Sequence, residues 1–333
     1  LHTVPEVKEF AGFVGTHSPI DFNGMVRQYY LRERPHLADI RITLIDKAKR
    51  EHQSHEVLLR IRKDLERIAT EYDANIKLVE TPPGPPVIST ITVELYGEPV
   101  TPYEELQRSA ELVVDRMEKE PFVVDIDTSV ESDQRKVVFD VEKEKAALSG
   151  ISTQDVVQTV GLALEGMTAS YLQKPDEANP LPIILRLPLG RRTPLEELAT
   201  LAVKGRPGIV QVRENGGLRQ APQPFVRLAE IGKFKQTTAD KTIYHKNLKP
   251  VVYVFAEVAG RAPADAIQDM VWDLGKKESE ADPVALEDRN YIQAGSGIPW
   301  TLPEDVRANW SGEGEWKITL RVFRDLGLAF AAA

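Results

Sequence analysis

The sequence predicts an α+β fold: two ferredoxin-like split β-α-β lobes, the second interrupted by an inserted mixed αβ module. Three observations carry this. Strand-period and helix-period segments alternate to the same plan twice before residue 130, a proline-dense break separates the two runs, and the alternation lapses from about 131 to 240 before it resumes.

The first run begins at ADIRITLID, 38–46, where Ile40, Ile42 and Leu44 fall on one face at period two, as in a half-buried strand. From Ser54 to about Tyr72, the residues Val57, Leu58, Ile61, Leu65, Ile68 and Tyr72 recur at three- and four-residue spacing, which predicts an amphipathic helix. A strand over NIKLVE, 75–80, completes the unit. The four prolines and one glycine of TPPGPPV, 81–87, exclude both helix and central strand, so this stretch reads as a linker. The plan then repeats. STITVELYG, 89–97, alternates Ile91, Val93 and Leu95 with polar partners. The next helix opens with a capping box in which Thr101 caps, Pro102 takes the first turn and Glu104 reaches back. FVVDID, 122–127, returns as a strand.

The middle is richer in strands and turns. KVVFDV, 136–141, is a strand, and the helix at 152–164 is capped by Ser152. A strand at IILRLP, a second capping box at Thr193 and Glu196, and a hairpin turn around Asn215 and Gly216 follow. The strand at 250–260 and a helix from Pro263, with Ile267, Met270, Val271 and Leu274 inward, restore the earlier plan. DVRANWSG, 305–312, ends it.

A chain of 333 residues has room for two or three domains with cores of their own. Its net charge of -9 disfavours wholesale binding to nucleic acid or anionic lipid, which needs a basic face. With no cysteine there is no disulfide framework, thiolate metal site or cysteine nucleophile. The opening LHTVPEVKEF has neither a basic start nor an apolar stretch, so no signal peptide is read. The apolar run at 326–333 falls short of the ~20 residues that span a bilayer. Both ends are expected to be cuts in a longer chain.

Candidate sites are few. His52 and His55 sit three apart near a helix start, a metal-compatible spacing that more simply describes solvated surface histidines, and no metal or other cofactor is assigned. The methionines Met25, Met117, Met167 and Met270 are too scattered for a soft-metal relay. VRQYYLRERPH, 26–36, interleaves Arg27, Arg32 and Arg34 with Tyr29 and Tyr30. That mixture suits base stacking, a partly covered loop, or a cleft for amphipathic or anionic small molecules. Asp125 and Asp127 share a strand face and read as solvated. ENGGLR, 214–219, is a hairpin turn that opens no helix, so it is no phosphate cradle.

Four stretches carry a family resemblance. EFAGFVG (9–15), PPGPPVISTITVELYG (82–97), QRKVVFDVEKEKAALSGISTQDVVQTVGLALEG (134–166) and GEWKITLRVFRDLGLAFAAA (314–333) together resemble the periplasmic region in the C-terminal half of resistance-nodulation-division (RND) efflux permeases, the acriflavine-resistance type. The third stretch is the most specific, resembling the family's strand, its D-x-x-K-A-x-x-x-G-[IV]-[ST]-x-x-[DE]-[IV] run and the helix after it. Residues 16–37 and 275–300 are longer than expected for drug exporters.

The resemblance implies a first porter subdomain at 1–87, a second at 88–130 and 241–314, a docking subdomain inserted at 131–240, and a lead-in to a membrane helix at 315–333. It further implies a proton-driven, inner-membrane homotrimer that works with a periplasmic adaptor protein and an outer-membrane channel, moving a small-molecule substrate through a cleft. By position the cleft would be lined by Phe13, Arg41, Lys77 and Val79, to which Met25, Tyr29 and Tyr30 of the enlarged loop are added. Arg41 and Lys77 there suggest a charged ligand. The competing reading, a stand-alone ferredoxin-like αβ enzyme or small-ligand regulatory module, requires a buried titrating pair in a closed pocket. A nucleic-acid binder would lose affinity steeply with salt.

Overall fold

Eight residues, Val7–Val14, form β1 and pair antiparallel with β2, Ala38–Leu44. The computed structural model from which this is read describes residues 1–80, 87–211, 216–289 and 295–333. The proline-rich linker at 81–86 and the hairpin turn at Asn215 thus lie outside the described residues, as do residues 290–294 of the long 275–300 segment. Between β1 and β2 the loop contains a short α-helix, α1 (Phe22–Val26), and one 3-10 turn, Tyr29–Leu31. The β1–β2 hairpin is only half covered: Phe10, Val14, Ile40 and Ile42 share one face and all are exposed, so the alternation marked the strand correctly but not a buried side.

Helix α2, Ser54–Glu71, follows, with Gln53 and Glu56 forming its capping box. Residues 75–80, read as a strand, form none. A strand requires a neighbour to satisfy its ladder, and this segment instead engages side chain to main chain, with Lys77 Nζ donating to the Ile126 carbonyl.

The second lobe holds the main core. β3 (Ile91–Gly97), α3 (Tyr103–Glu118) and β4 (Val123–Thr128) make its first half. Leu106, Ala110, Val113 and Met117 line one stripe of α3 and are fully buried against Ile91, Val93 and Leu95. Thr101 does not cap α3. Its hydroxyl donates to Asp305 at 2.7 Å, and Pro102 occupies the cap position.

Residues 132–240 form a compact unit distinct from the unit made by 1–131 and 241–333. It contains β5 (Arg135–Val141), α4 (Lys143–Leu148), α5 (Thr153–Leu164), β6 (Met167–Leu172) and β7 (Leu181–Leu185). Two short helices, α6 (Leu189–Arg192) and α7 (Leu195–Ala199), lead to β8 (Ala202–Lys204), β9 (Ile209–Gln211), β10 (Leu218–Gln220) and β11 (Phe225–Arg227). α8 (Leu228–Ile231) and β12 (Gly232–Thr238) complete it. Ser152 caps α5 in a capping box with Asp155, whereas Thr193 turns its hydroxyl to the Leu189 carbonyl and leaves α7 without a side-chain cap. A small core of Ala146, Ile151, Val156, Val203, Leu228 and Ile231 packs under Phe139 and Phe234. β9 and β10 pair with Gln211 opposite Leu218, flanking the turn as the sequence reads it.

The chain returns through β13 (Tyr244–Lys246) and the ten-residue β14 (Lys249–Val258). α9 (Pro263–Asp273), β15 (Val306–Asn309) and the terminal α10 (Gly314–Ala332) follow. β14 pairs with β3 along one edge and with β13 and β4 along the other, and β15 joins β3, all antiparallel. α3 and α9 supply the helical part of the core with Ile267 and Met270 inward. Val271 is exposed, because the positions facing the core alongside them are Asp269 and Asp273. Among the described residues no helix is long and apolar enough to cross a membrane.

Candidate functional site

The β1–β2 register sets Phe13 opposite Asp39 and Ala11 opposite Arg41, so Phe13 and Arg41 lie on one face of the hairpin. The long loop folds back onto that face through charged contacts. Arg41 donates to the Pro19 carbonyl at 2.6 Å and pairs with Asp21; Asp39 accepts from the Ser18 amide at 3.0 Å and from Arg32 Nε at 2.8 Å. Asp21 also caps α1, accepting from the Gly24 amide at 2.7 Å. That amide, with Arg41, holds the Asp21 carboxyl below its ordinary range.

On this loop Met25 and Tyr30 are exposed, and Tyr29 is half-buried, its phenol pushed up by burial against the opposing pull of Arg27 and Arg32. Phe13 is partly covered. Lys77 and Val79 lie elsewhere, on the 75–80 segment beside β4. Lys77 is held there by Ile126, its pKa lowered by burial despite Asp127 and Asp125, and Val79 is exposed. The structure therefore brings Phe13 and Arg41 together with the loop that bears Met25, Tyr29 and Tyr30, and places Lys77 at the boundary with the second lobe.

The three arginines of the aromatic-basic stretch each meet a carboxylate: Arg27 meets Glu257, Arg32 meets Asp39 and Arg34 meets Glu131. Their charge is compensated locally rather than displayed as a basic face. His52 and His55 turn to different acids, Glu56 and Glu80, at 3.5 and 3.4 Å.

Two contacts that the sequence gave no means to find join the first lobe to the second. Arg62 of α2 makes a bidentate pair with Asp125, both bonds 2.8 Å. Asp125 reads as solvated in the sequence, but its side chain is only 7% exposed. It sits at a bulge where the β4–β14 register shifts, with φ of 53°. The bulge turns its carboxylate out of the strand's alternation and onto Arg62. Arg27 donates both terminal nitrogens to Glu257 at 3.2 Å.

A third cluster lies wholly inside the second lobe. Glu120, Asp269 and Asp273 are buried among Arg116, Arg261, Arg289 and Lys276. Ser296 donates its amide at 2.9 Å and its hydroxyl at 2.7 Å to Asp273, binding the long 275–300 segment to α3 and α9. An acid every fourth residue on α9 is the signal in the sequence, masked by the apolar residues between.

A sequence model of the AcrB/AcrD/AcrF family matches residues 9–279. The fold is similar to that of a heavy metal efflux pump solved by X-ray crystallography in two crystal forms. With form II the TM-score is 0.62 at 15% identity over 99% of this chain, and with form I it is 0.62 at 16% identity over 98%. In both cases the chain spans 29% of the solved protein's length. Comparison with curated proteins finds no significant sequence match. The family match runs through both compact units and most of the chain, and the likeness of fold extends over nearly all of it, so the chain belongs to the AcrB/AcrD/AcrF family.

Proposed function

We propose that the chain is the periplasmic part of a proton-driven RND efflux permease, lying between two membrane helices in the C-terminal half of the intact protein. The observation that carries this reading is the family match over residues 9–279, on a fold similar to an efflux pump along almost the whole chain. Efflux permeases are transporters, which favours this reading over a stand-alone enzyme.

In this reading residues 1–87 are one porter subdomain, 88–130 with 241–314 the other, and 315–333 lead into a membrane helix. The insertion at 131–240 docks against neighbouring copies and the outer-membrane channel. Its β6–β7 hairpin supports that role: all of β6 and most of β7 are exposed, with Tyr171, Leu172, Ile183, Ile184 and Leu185 offering apolar surface. The intact protein is a homotrimer working with a periplasmic adaptor. Small-molecule substrate passes through a cleft between the porter subdomains, next to Phe13, Met25, Tyr29, Tyr30 and Arg41, with Lys77 and Val79 on its far side. The subdomains part and close by a hinge motion as each protomer cycles.

The test is expression of the full parent reading frame in a bacterium stripped of its own efflux pumps, challenged with dyes, organic anions, antibiotics and metal ions. Lower accumulation of at least one class, abolished by dissipating the proton gradient, is expected. Unchanged accumulation across the panel, or a reading frame with no membrane-spanning segments on either side of these residues, refutes the reading.

A further inference from the structure

Among residues 22–31, only Gly24 is buried. This stretch is held in place by few polar contacts, yet Gln28 within it keeps a left-handed backbone, φ 59°, a conformation that a non-glycine residue adopts only when its surroundings impose it. The residue before it, Arg27, ends α1 and is clamped to Glu257.

Glu257 has a second set of partners. The Thr90 hydroxyl donates to one carboxylate oxygen, and the Ser89 hydroxyl lies 3.4 Å from the other. Residues 89 and 90 are also the seat of α10. The Glu315 amide, in the first turn of α10, donates to the Thr90 carbonyl at 3.2 Å. Gly314 lies so close that a Cβ there would stand 3.0 Å from the Ser89 carbonyl oxygen and 3.2 Å from that of Thr90, and its φ of 79° disfavours any side chain. Just before it, Glu313 binds Lys246 at 2.7 Å, and Lys246 in turn binds the buried Glu94 of β3. The start of α10 is thereby joined to the beginning of β3, and of the two residues of β3's approach it is Thr90 that bonds the carboxylate holding Arg27, while the Ser89 hydroxyl donates to the Ala256 carbonyl at 2.7 Å.

We propose that Glu257 is a positioning residue that couples the seat of α10 to the loop bearing Met25, Tyr29 and Tyr30. A shift of α10 moves Thr90, whose carbonyl it holds and whose hydroxyl holds Glu257, and Arg27 carries the displacement into the loop. The functional meaning rests on the efflux reading, in which α10 leads to the membrane and the loop lines the cleft; the coupling itself does not.

Hydrogen exchange measured by mass spectrometry on the 333-residue chain tests it, read at peptides covering 22–31, where the amides of Met25 and Arg27 are bonded to Asp21 and Asn23. Glu257→Gln is expected to speed exchange there by roughly fivefold to thirtyfold, the change that loss of one charged contact brings. Gly314→Ala, remote from the loop, is expected to speed it in the same peptides, and the double variant to add nothing further. A purely local clamp would leave the response to Gly314→Ala intact in the Glu257→Gln background, which overturns the proposal, as does a loop indifferent to either single change. If Gly314→Ala does not fold, Glu313→Gln, which loosens the same seat through Lys246, takes its place under the same criteria. Because exchange does not require transport, coupling in this chain together with no export by its full parent reading frame refutes the efflux reading alone.

Discussion

Glu120 is the hub of the ion cluster inside the second lobe, and its replacement by glutamine measures what that cluster contributes. Its side chain is fully buried and accepts from Arg116 at 2.9 Å and from Arg261 and Arg289 at 2.5 Å each. Four cations there face three carboxylates, so neutralising Glu120 leaves four facing two. Glutamine also has one oxygen and one amide nitrogen where the carboxylate has two acceptors. With Arg261 and Arg289 sharing the oxygen, its NH2 group points at the donors of Arg116. Removing one partner of a buried ion pair costs about 3–5 kcal/mol, because the charges left behind remain desolvated. In a unit of this size each kcal/mol lowers the melting temperature by about 2–4 °C, so Glu120→Gln should melt about 6–20 °C lower. Glu118→Gln, two positions earlier, at the exposed last residue of α3, should change stability by no more than about 0.5 kcal/mol. Thermal unfolding followed by circular dichroism compares the two. Equal melting temperatures for the two variants would show that the cluster contributes no more than solvated charges do.

Two further outcomes follow from buried carboxylates. Gly312→Ala would place a Cβ 2.1 Å from the Glu94 carboxylate, which cannot move aside because Tyr96, Asn309 and Lys246 all bind it; a loss of about 1–3 kcal/mol in urea unfolding is expected, and an unchanged midpoint would mean that Glu94 has room to give. Acid should destabilise the same unit. Burial alone would raise the Asp273 pKa, but bonds from Ser296, Lys276 and the Ile298 amide outweigh it and hold the carboxyl below its ordinary 3.8. Lys246 and Lys317 likewise overcome burial to hold Glu313 below 4.5. The folded state therefore binds fewer protons than the unfolded chain between each folded value and the ordinary one. These contributions are complete above about pH 5 and are lost as the pH falls through the folded values. Melting temperature measured from pH 7 to 3 should hold level and then fall, less steeply in Asp273→Asn; a curve that is flat or rises in acid contradicts the assignment.

How much of this was legible in the sequence depends on whether the signal was periodic. The stripe Leu106, Ala110, Val113, Met117 and the alternation Ile91, Val93, Leu95 predicted the core they form. What failed were positions decided by a distant neighbour. Thr101 has the composition of a cap, yet Asp305, two hundred residues away, takes its hydroxyl. Residues 75–80 have strand alternation, but no strand pairs with them. Glu94 sits at the polar phase of β3 and is buried all the same, because α10 and its approach cover that face. Asp125 was assigned to solvent by a strand's alternation that a one-residue bulge cancels. In the candidate site, Arg41 was legible as a residue on the hairpin, but not as one neutralised by Asp21.

The two lobes are stabilised by different means, and the difference bears on movement. Inside the second lobe, helices and sheet meet through fully buried aliphatic side chains, whose separation would expose apolar surface at roughly 25 cal/mol for each Å². Polar contacts between the first lobe and the second include Arg62 with Asp125, Arg27 with Glu257, Arg34 with Glu131 and Thr242, Asn75 with Asp127 and Lys77 with the Ile126 carbonyl. Water can replace each of these partners, and hydrogen bonds to charged groups contribute about 1.5–3 kcal/mol net each. Polar joints of this kind make relative motion the default between lobes, while apolar ones fix them. Under the efflux reading proposed above, this boundary of ion pairs and further hydrogen bonds is where the porter subdomains would part, beside a lobe whose β3 is tied to the start of α10.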